Sequence, residues 1–295
     1  MVNRKNSPKA WLLAARPKTL SGAAIPVMLG SGLAAMYGHF RIVPCVLCFL
    51  FAFLMQIDAN FINDLYDYLR GADREDRLGP ERATAQGWVS VRAMKWAIGI
   101  TTGVAAAVGL CLLYYGGWEM IPVGVACLVF AFLYTTGPYP LAYHGWGDVL
   151  VLVFFGFVPV GCTYYVMAHG WSVSVTMASL ASGLIIDTML MINNFRDRYQ
   201  DKVSGKRTLV VRFGGKAGLC MYYLAGMLAC WCCFWFLVEG KIWAVVLPQL
   251  YLLPHIFTTL KMARIGHGRE LNVILGETSR NMLLFGILLT AGILL

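Results

Sequence analysis

Residues 42–77 read IVPCVLCFLFAFLMQIDANFINDLYDYLRGADREDR, an apolar run that passes directly into an acidic segment. The apolar part, about 42–62, is close to the roughly 20 residues that an α-helix needs to cross a bilayer. Six carboxylates then fall between Asp64 and Glu81, out of fifteen in the whole chain. The stretch predicts a membrane helix whose end carries concentrated negative charge.

The acidic end has spacing suited to a cation site. Asn60 and Asp64 are four residues apart, as are Asn63 and Asp67, so each pair shares one face if the helix continues. Carboxylates this close repel one another unless a cation lies between them. Oxygen ligands without Cys or His favour Mg²⁺ over Zn²⁺. A solvated acidic helix end is the alternative for this stretch alone.

A second acidic segment, NNFRDRYQD at residues 193–201, also follows an apolar run directly. Asn193, Asp197 and Asp201 recur at i, i+4 and i+8, which places them on one helical face. Two such clusters, each followed by basic residues, predict two halves of one site.

Composition places the chain in the membrane. It is 59% hydrophobic and 13% charged with a mean hydropathy of +0.65, whereas soluble domains are roughly 25% charged. We predict a single all-α domain over residues 1–295, with a weak repeat of four helices twice plus a ninth. The nine predicted transmembrane helices cover about 19–38, 42–62, 93–115, 119–136, 147–168, 172–193, 217–238, 242–260 and 278–295.

Basic residues predict the orientation. With the N-terminus in the cytoplasm, 22 of the 24 Lys and Arg residues lie inside and only Arg41 and Lys241 outside. Both acidic clusters then face the cytoplasm. The net charge of +9 follows from this topology, so no nucleic-acid partner is expected. The nine cysteines lie mostly in spans and are interpreted as packing residues. No cleavable signal peptide is expected.

Cations next to the acids indicate a phosphate ligand. Arg77 and Arg82 follow the first cluster, and Lys206 and Arg207 follow the second. Carboxylates that hold Mg²⁺ beside cations that neutralise outer phosphate oxygens suit a magnesium–diphosphate complex. A diphosphate at a membrane surface implies an organic group that lies in lipid, and isoprenoid diphosphates fit this description.

Several stretches together resemble the UbiA superfamily of membrane prenyltransferases, and within it the branch that prenylates 1,4-dihydroxy-2-naphthoate. The motifs are NDxxD at 63–67 and DxxxD at 197–201, supported by further stretches from about residue 11 to 215. These are ARPKTL at 15–20, RLGPxR at 77–82, YTTGPYPL at 134–141, GWGD at 145–148, NNxRD at 193–197 and GKxTL at 205–209.

The resemblance implies a bundle of helices around a central cavity and a set of site residues. Asp64, Asp67, Asp197 and Asp201 would be the catalytic, metal-binding acids for Mg²⁺. Substrate-binding roles would fall to Asn60, Asn63, Arg77, Arg82, Asn193, Lys206, Arg16, Lys18 and Arg212. For Arg16 and Lys18, ordinary interfacial anchoring is the open alternative.

The resemblance also implies the reaction and its place. A polyprenyl cation, formed from polyprenyl diphosphate, would attack the carbon of 1,4-dihydroxy-2-naphthoate that bears the carboxyl group. Carbon dioxide and diphosphate would leave, giving demethylmenaquinone, at the cytoplasmic face of the inner membrane. The alternatives are another acceptor, such as 4-hydroxybenzoate or haem, and, from a different class, a secondary transporter.

Three further acids stay open at the sequence level. Asp58 and Asp187 lie within apolar spans, where an ionisable group is costly and is functional by default. Asp148 and Trp146 depart from the pattern of the resembled family, in which Glu and a smaller aliphatic residue are typical, so the resemblance assigns no direct role to the Asp148 carboxylate.

Overall fold

All regular structure in residues 5–71 and 77–295, the part described by this computed structural model, is helical. Three short 3-10 turns and one π segment supplement the α-helices. In chain order the α-helices are α1 (Pro8–Ala15), α2 (Leu20–Met36), α3 (Ile42–Leu69), α4 (Val91–Gly116), α5 (Met120–Leu133), α6 (Gly147–Val151), α7 (Val158–Ala168), α8 (Val173–Val203), α9 (Leu209–Phe213), α10 (Gly215–Cys232), α11 (Ile242–Gln249), α12 (Leu252–Ile265) and α13 (Leu271–Leu294).

The predicted all-α membrane fold is confirmed. Within the described residues, eight helical segments are long and apolar enough to cross a membrane. A ninth, α5, is apolar but has only 14 residues, or about 21 Å, against a hydrocarbon layer of roughly 30 Å. All nine predicted runs fall on helices, while the count of nine spans stays a prediction.

Helices α2 and α8 form the centre of the bundle. α2 packs against α3, α7 and α13, and α8 packs against α10 and α13. Small residues permit close crossings in this core. A Cβ atom on Gly30 would lie 2.5 Å from the carbonyl oxygen of Val160, so only glycine lets α2 and α7 approach this closely.

The two helices that carry the acidic motifs are the longest in the described structure. α3 has 28 residues and α8 has 31, which correspond to about 42 and 47 Å. Both therefore exceed the hydrocarbon thickness and extend into the interface. Gly71 and Gly205 follow their ends with φ of +69° and +77°, a left-handed conformation that favours glycine and ends a helix.

One span contains a local irregularity beside the central cavity. Between α6 and α7 the residues Leu152–Phe157 form a π segment, which is rare and frequently lies at functional sites. Phe154 and Phe155 of this segment line the cavity described below. The irregularity thus contributes aromatic side chains to the interior of the bundle.

Candidate functional site

Two adjoining cavities meet inside the bundle. One is a polar cleft of about 460 Å³ between the ends of α3 and α8. The other is an apolar cavity of about 550 Å³ that is enclosed mainly by α2, α3, α4, α5 and the α6–α7 span. Five residues line both, namely Arg16, Asn63, Tyr134, Leu190 and Asn193. A molecule with a charged head and an apolar tail could therefore occupy both cavities together.

The polar cleft brings the two acidic motifs together. Asp67 reaches it from α3, and Asp197 and Asp201 reach it from α8. Most of the residues predicted from sequence line this cleft: Arg16, Asn63, Asp67, Arg77, Arg82, Asn193, Asp197, Asp201 and Lys206. The spacing of four along α8 places Asp197 and Asp201 on one face of that helix, and this face lines the cleft.

Each acid in the cleft is paired with a cation. Arg82 Nη2 lies 2.7 Å from Asp67 Oδ2, and Lys206 Nζ lies 3.6 Å from Asp201 Oδ1. Arg196 donates from Nε and Nη2 to the two oxygens of Asp197 at 2.7 and 2.6 Å, a bidentate arrangement. The cleft thus contains alternating positive and negative charge, which suits a metal–polyphosphate complex.

The donor set fits a hard cation. Asp201 Oδ2 and Gln200 Oε1 are buried and have no hydrogen-bond partner within the described structure, although Asp201 Oδ1 faces Lys206. Among the described residues, three or more acidic, His or Cys side chains do not converge on one point. Mg²⁺ commonly takes one or two carboxylates and completes its shell with substrate phosphates and water, and the separated acids match that pattern.

Asp64, a predicted metal ligand, accepts hydrogen bonds from backbone N–H groups in this structure. Its two oxygens accept the backbone N–H groups of Ala83 and Thr84 at 2.9 Å each, and its side chain is 1% exposed. It does not line the polar cleft. The carboxylate holds the 77–84 segment against α3, and we infer that it anchors this loop; its role as a metal ligand stays a prediction.

Asp64→Asn tests this assignment. The Asn side chain has one acceptor oxygen where Asp has two, so one of the two backbone N–H groups loses its partner. We expect the free energy of unfolding to fall by about 1–3 kcal/mol. The Mg²⁺ concentration for half-maximal activity should not change. A rise of about tenfold in that concentration with unchanged thermal stability would restore Asp64 as a metal ligand.

Three other predicted residues lie away from the polar cleft. Asn60 is buried and donates to Ala15 O and Thr19 Oγ1 at 3.0 Å, which ties α3 to the N-terminal segment. Arg212 donates to Arg207 O and His144 O, so it joins α9 to the 141–145 turn. Lys18 is exposed and lines neither cavity, and both its substrate-binding role and the alternative of interfacial anchoring stay predictions.

Arg196 and Tyr143 were not among the predicted site residues. Arg196 is 2% exposed and clamps Asp197; its position directly before that acid was the available signal. Tyr143 lines the cleft, where burial and the Asp67 carboxylate raise its pKa to about 12. It therefore stays protonated at neutral pH and can donate a hydrogen bond.

The apolar cavity has aromatic walls next to the cleft. Its lining includes Phe51, Phe130, Phe154, Phe155 and Tyr134. Gly124 of α5 also lines it, and a Cβ atom there would meet nothing within 4 Å. Aromatic faces can stabilise a cation, and apolar surroundings strengthen that attraction.

The acids left open by the sequence lie outside both cavities. Asp58 is fully buried and accepts hydrogen bonds from Thr101 and Thr102, which joins α3 to α4. Asp148 and Asp187 are buried, and each has one oxygen without a partner in the described structure. Asp73, Glu75 and Asp76 of the first cluster lie outside the described residues.

Related chains share both sequence and fold. The 1,4-dihydroxy-2-naphthoate octaprenyltransferase of Haemophilus influenzae is 35% identical over all of this chain and 98% of its own length. The enzyme of the same name from Mycobacterium tuberculosis is 34% identical over 94% of each chain.

Solved structures at low identity agree in fold. A UbiA homolog from Aeropyrum pernix is 17% identical and superposes with a TM-score of 0.69, over 92% of this chain and 96% of its own. One from Archaeoglobus fulgidus, bound to DMAPP and Mg²⁺, is 17% identical with a TM-score of 0.62, over 95% and 99%. The UbiA prenyltransferase family model matches residues 23–272, and the chain therefore belongs to that family.

Proposed function

We propose that this chain transfers a polyprenyl group from polyprenyl diphosphate to 1,4-dihydroxy-2-naphthoate in a Mg²⁺-dependent reaction. The observation that carries the proposal is the junction of the polar cleft with the apolar cavity at Arg16, Asn63, Tyr134, Leu190 and Asn193. A diphosphate fits the charged side and a prenyl chain fits the apolar side. The names of the relatives at about one-third identity support the choice of acceptor.

The residues of the cleft would stabilise the departing diphosphate. Asp67, Asp197 and Asp201, with the amides of Asn63 and Asn193, would hold Mg²⁺, which supplies positive charge to the phosphate oxygens. Arg16, Arg77, Arg82 and Lys206 line the same space and would neutralise the remaining phosphate charge.

The aromatic wall would protect the reacting carbon. As the bond between the prenyl C1 atom and the diphosphate oxygen breaks, positive charge would develop where the two cavities meet, near Tyr134, which lines both. The new bond joins C1 to the ring carbon that bears the carboxyl group. That carboxyl leaves as CO₂, and its bonding electrons restore the aromatic ring, so the product is demethylmenaquinone in its hydroquinone form.

The bundle of apolar helices and the distribution of Lys and Arg residues indicate where the protein lies in the cell. We propose that the N-terminus and the polar cleft face the cytoplasm, in the inner membrane of the cell, as the positive-inside bias indicates. We also propose that residues 1–295 act as one domain, in which α3 and α8 end in the corresponding motifs of two four-helix units.

A reconstituted transfer assay tests the function. Purified protein in nanodiscs with polyprenyl diphosphate, 1,4-dihydroxy-2-naphthoate and Mg²⁺ should release CO₂ and form prenylated product, and excess chelator should abolish both. Turnover with 4-hydroxybenzoate but not with 1,4-dihydroxy-2-naphthoate would support prenyl transfer and refute the proposed acceptor. Failure with both acceptors, together with substrate-dependent flux in sealed vesicles, would favour the transporter alternative.

A further inference from the structure

The segment that follows α3 is attached to the last helix as well as to α3. Within the described part of the chain, Asn272 in the first turn of α13 donates from Nδ2 to the carbonyl oxygen of Leu78 at 2.8 Å. Arg269 donates to the carbonyl oxygen of Arg77 at 3.3 Å. The backbone between the two predicted phosphate-binding arginines is thus held by residues nearly 200 positions later.

The same asparagine also holds the clamp on the second motif. Its Oδ1 atom accepts a hydrogen bond from Arg196 Nη1 at 3.0 Å. Nε and Nη2 of that guanidinium bind the carboxylate of Asp197, as described above. Asn272 therefore fixes the orientation of the buried Arg196 guanidinium, and other donors of this guanidinium bind Asp197 in the cleft.

Gly79 completes the connection. A Cβ atom at this position would lie 2.7 Å from Arg196 Nη2 and 3.2 Å from its Cζ atom. The loop backbone at Gly79 thus lies close to the Arg196 guanidinium, and a larger residue at this position would displace the loop or the guanidinium. Loop and clamp are in contact both directly and through Asn272.

We propose that Asn272 is a positioning residue that couples the two halves of the site. By binding Leu78 and Arg196 together, it sets the loop that bears Arg77 and Arg82 relative to Asp197. Its part in diphosphate binding rests on the proposed function, whereas its hold on the loop does not. Since α13 begins here, the last helix contributes to the site without lining the cleft.

Asn272→Ala should release the loop. Hydrogen exchange of residues 77–84, measured by mass spectrometry, should become at least about tenfold faster because both hydrogen bonds are lost. The matched control is Asn281→Ala on the same helix, which loses a 2.9 Å bond to Thr258 far along α13. Equal exchange of the 77–84 segment in the two variants would overturn the proposal.

A binding measurement separates this inference from the proposed function. Titration calorimetry with Mg²⁺ and inorganic diphosphate should give a dissociation constant about tenfold higher for Asn272→Ala than for Asn281→Ala. Asn272→Asp keeps the acceptor for Arg196 and should recover part of this loss; no recovery would refute the contact with Arg196 as its cause. Absence of binding in the unaltered protein would refute the proposed function, while the exchange result would still decide the hold on the loop.

Discussion

Asp201→Asn is expected to lower prenyl transfer at least about 100-fold while the protein stays as stable as before. The lost negative charge removes a proposed Mg²⁺ ligand from the cleft, where it would act on the departing diphosphate. The free energy of unfolding should stay the same or rise, because the carboxylate gains little from its surroundings. Asp201 Oδ2 is buried without a partner in the described structure, and Lys206 Nζ comes no closer than 3.6 Å to Oδ1. Product formation and thermal unfolding should be measured on one preparation.

Asp58→Asn is the matched control for that variant. Asp58 is buried more deeply than Asp201, but its hydrogen bonds come from Thr101 and Thr102 and it lines neither cavity. We expect its transfer rate per folded molecule to stay within about twofold of the unaltered protein. Comparable activity in the two variants would remove Asp201 from the reaction.

Filling the apolar cavity from α5 should change which prenyl donors react. Gly124→Phe places a ring in space where a Cβ atom meets nothing within 4 Å, inside the cavity wall. For a long polyprenyl diphosphate we expect kcat/KM to fall about tenfold to 100-fold, because burial of several prenyl methyl groups is lost. Geranyl diphosphate, with only two prenyl units, should lose much less.

Gly103→Phe controls for a bulky residue on an apolar helix. Gly103 of α4 also has nothing within 4 Å of a built Cβ atom, but it is exposed on the outside of the bundle and does not line the cavity. Both donors should react normally with this variant. An equal loss for short and long donors in Gly124→Phe would show that the cavity does not hold the chain.

Local sequence was sufficient for the parts of the site that lie along one helix. A spacing of four residues predicted that Asn63 and Asp67 share one face of α3 and that Asp197 and Asp201 share one face of α8, because helix geometry alone sets which residues share a face. All four residues line the cleft in the folded chain. The same spacing did not distinguish Asp64, which turns toward the 77–84 segment. Its partners are two backbone N–H groups, and backbone groups carry no residue-specific signal.

Long-range contacts separated the site residues from the residues that support them. Arg212, Lys18 and Arg77 are all cations, and the sequence predicted a substrate-binding role for each of them. In the folded chain Arg77 lines the cleft, Arg212 binds two carbonyl oxygens of neighbouring loops, and Lys18 is exposed. Charge alone could not separate these outcomes, because the direction of a long side chain depends on its neighbours.

The amino-acid sequence by itself determined the membrane class, the helices and the two acidic motifs, since hydropathy and helical spacing are local properties. Tertiary structure decided which of the acids reach the cleft and that the cleft opens into an apolar cavity. It also placed Asn272, at the start of the last helix, against Leu78 and Arg196. These features depend on packing between helices that are distant in the sequence. The residue pattern of one helix does not specify which helices pack against it.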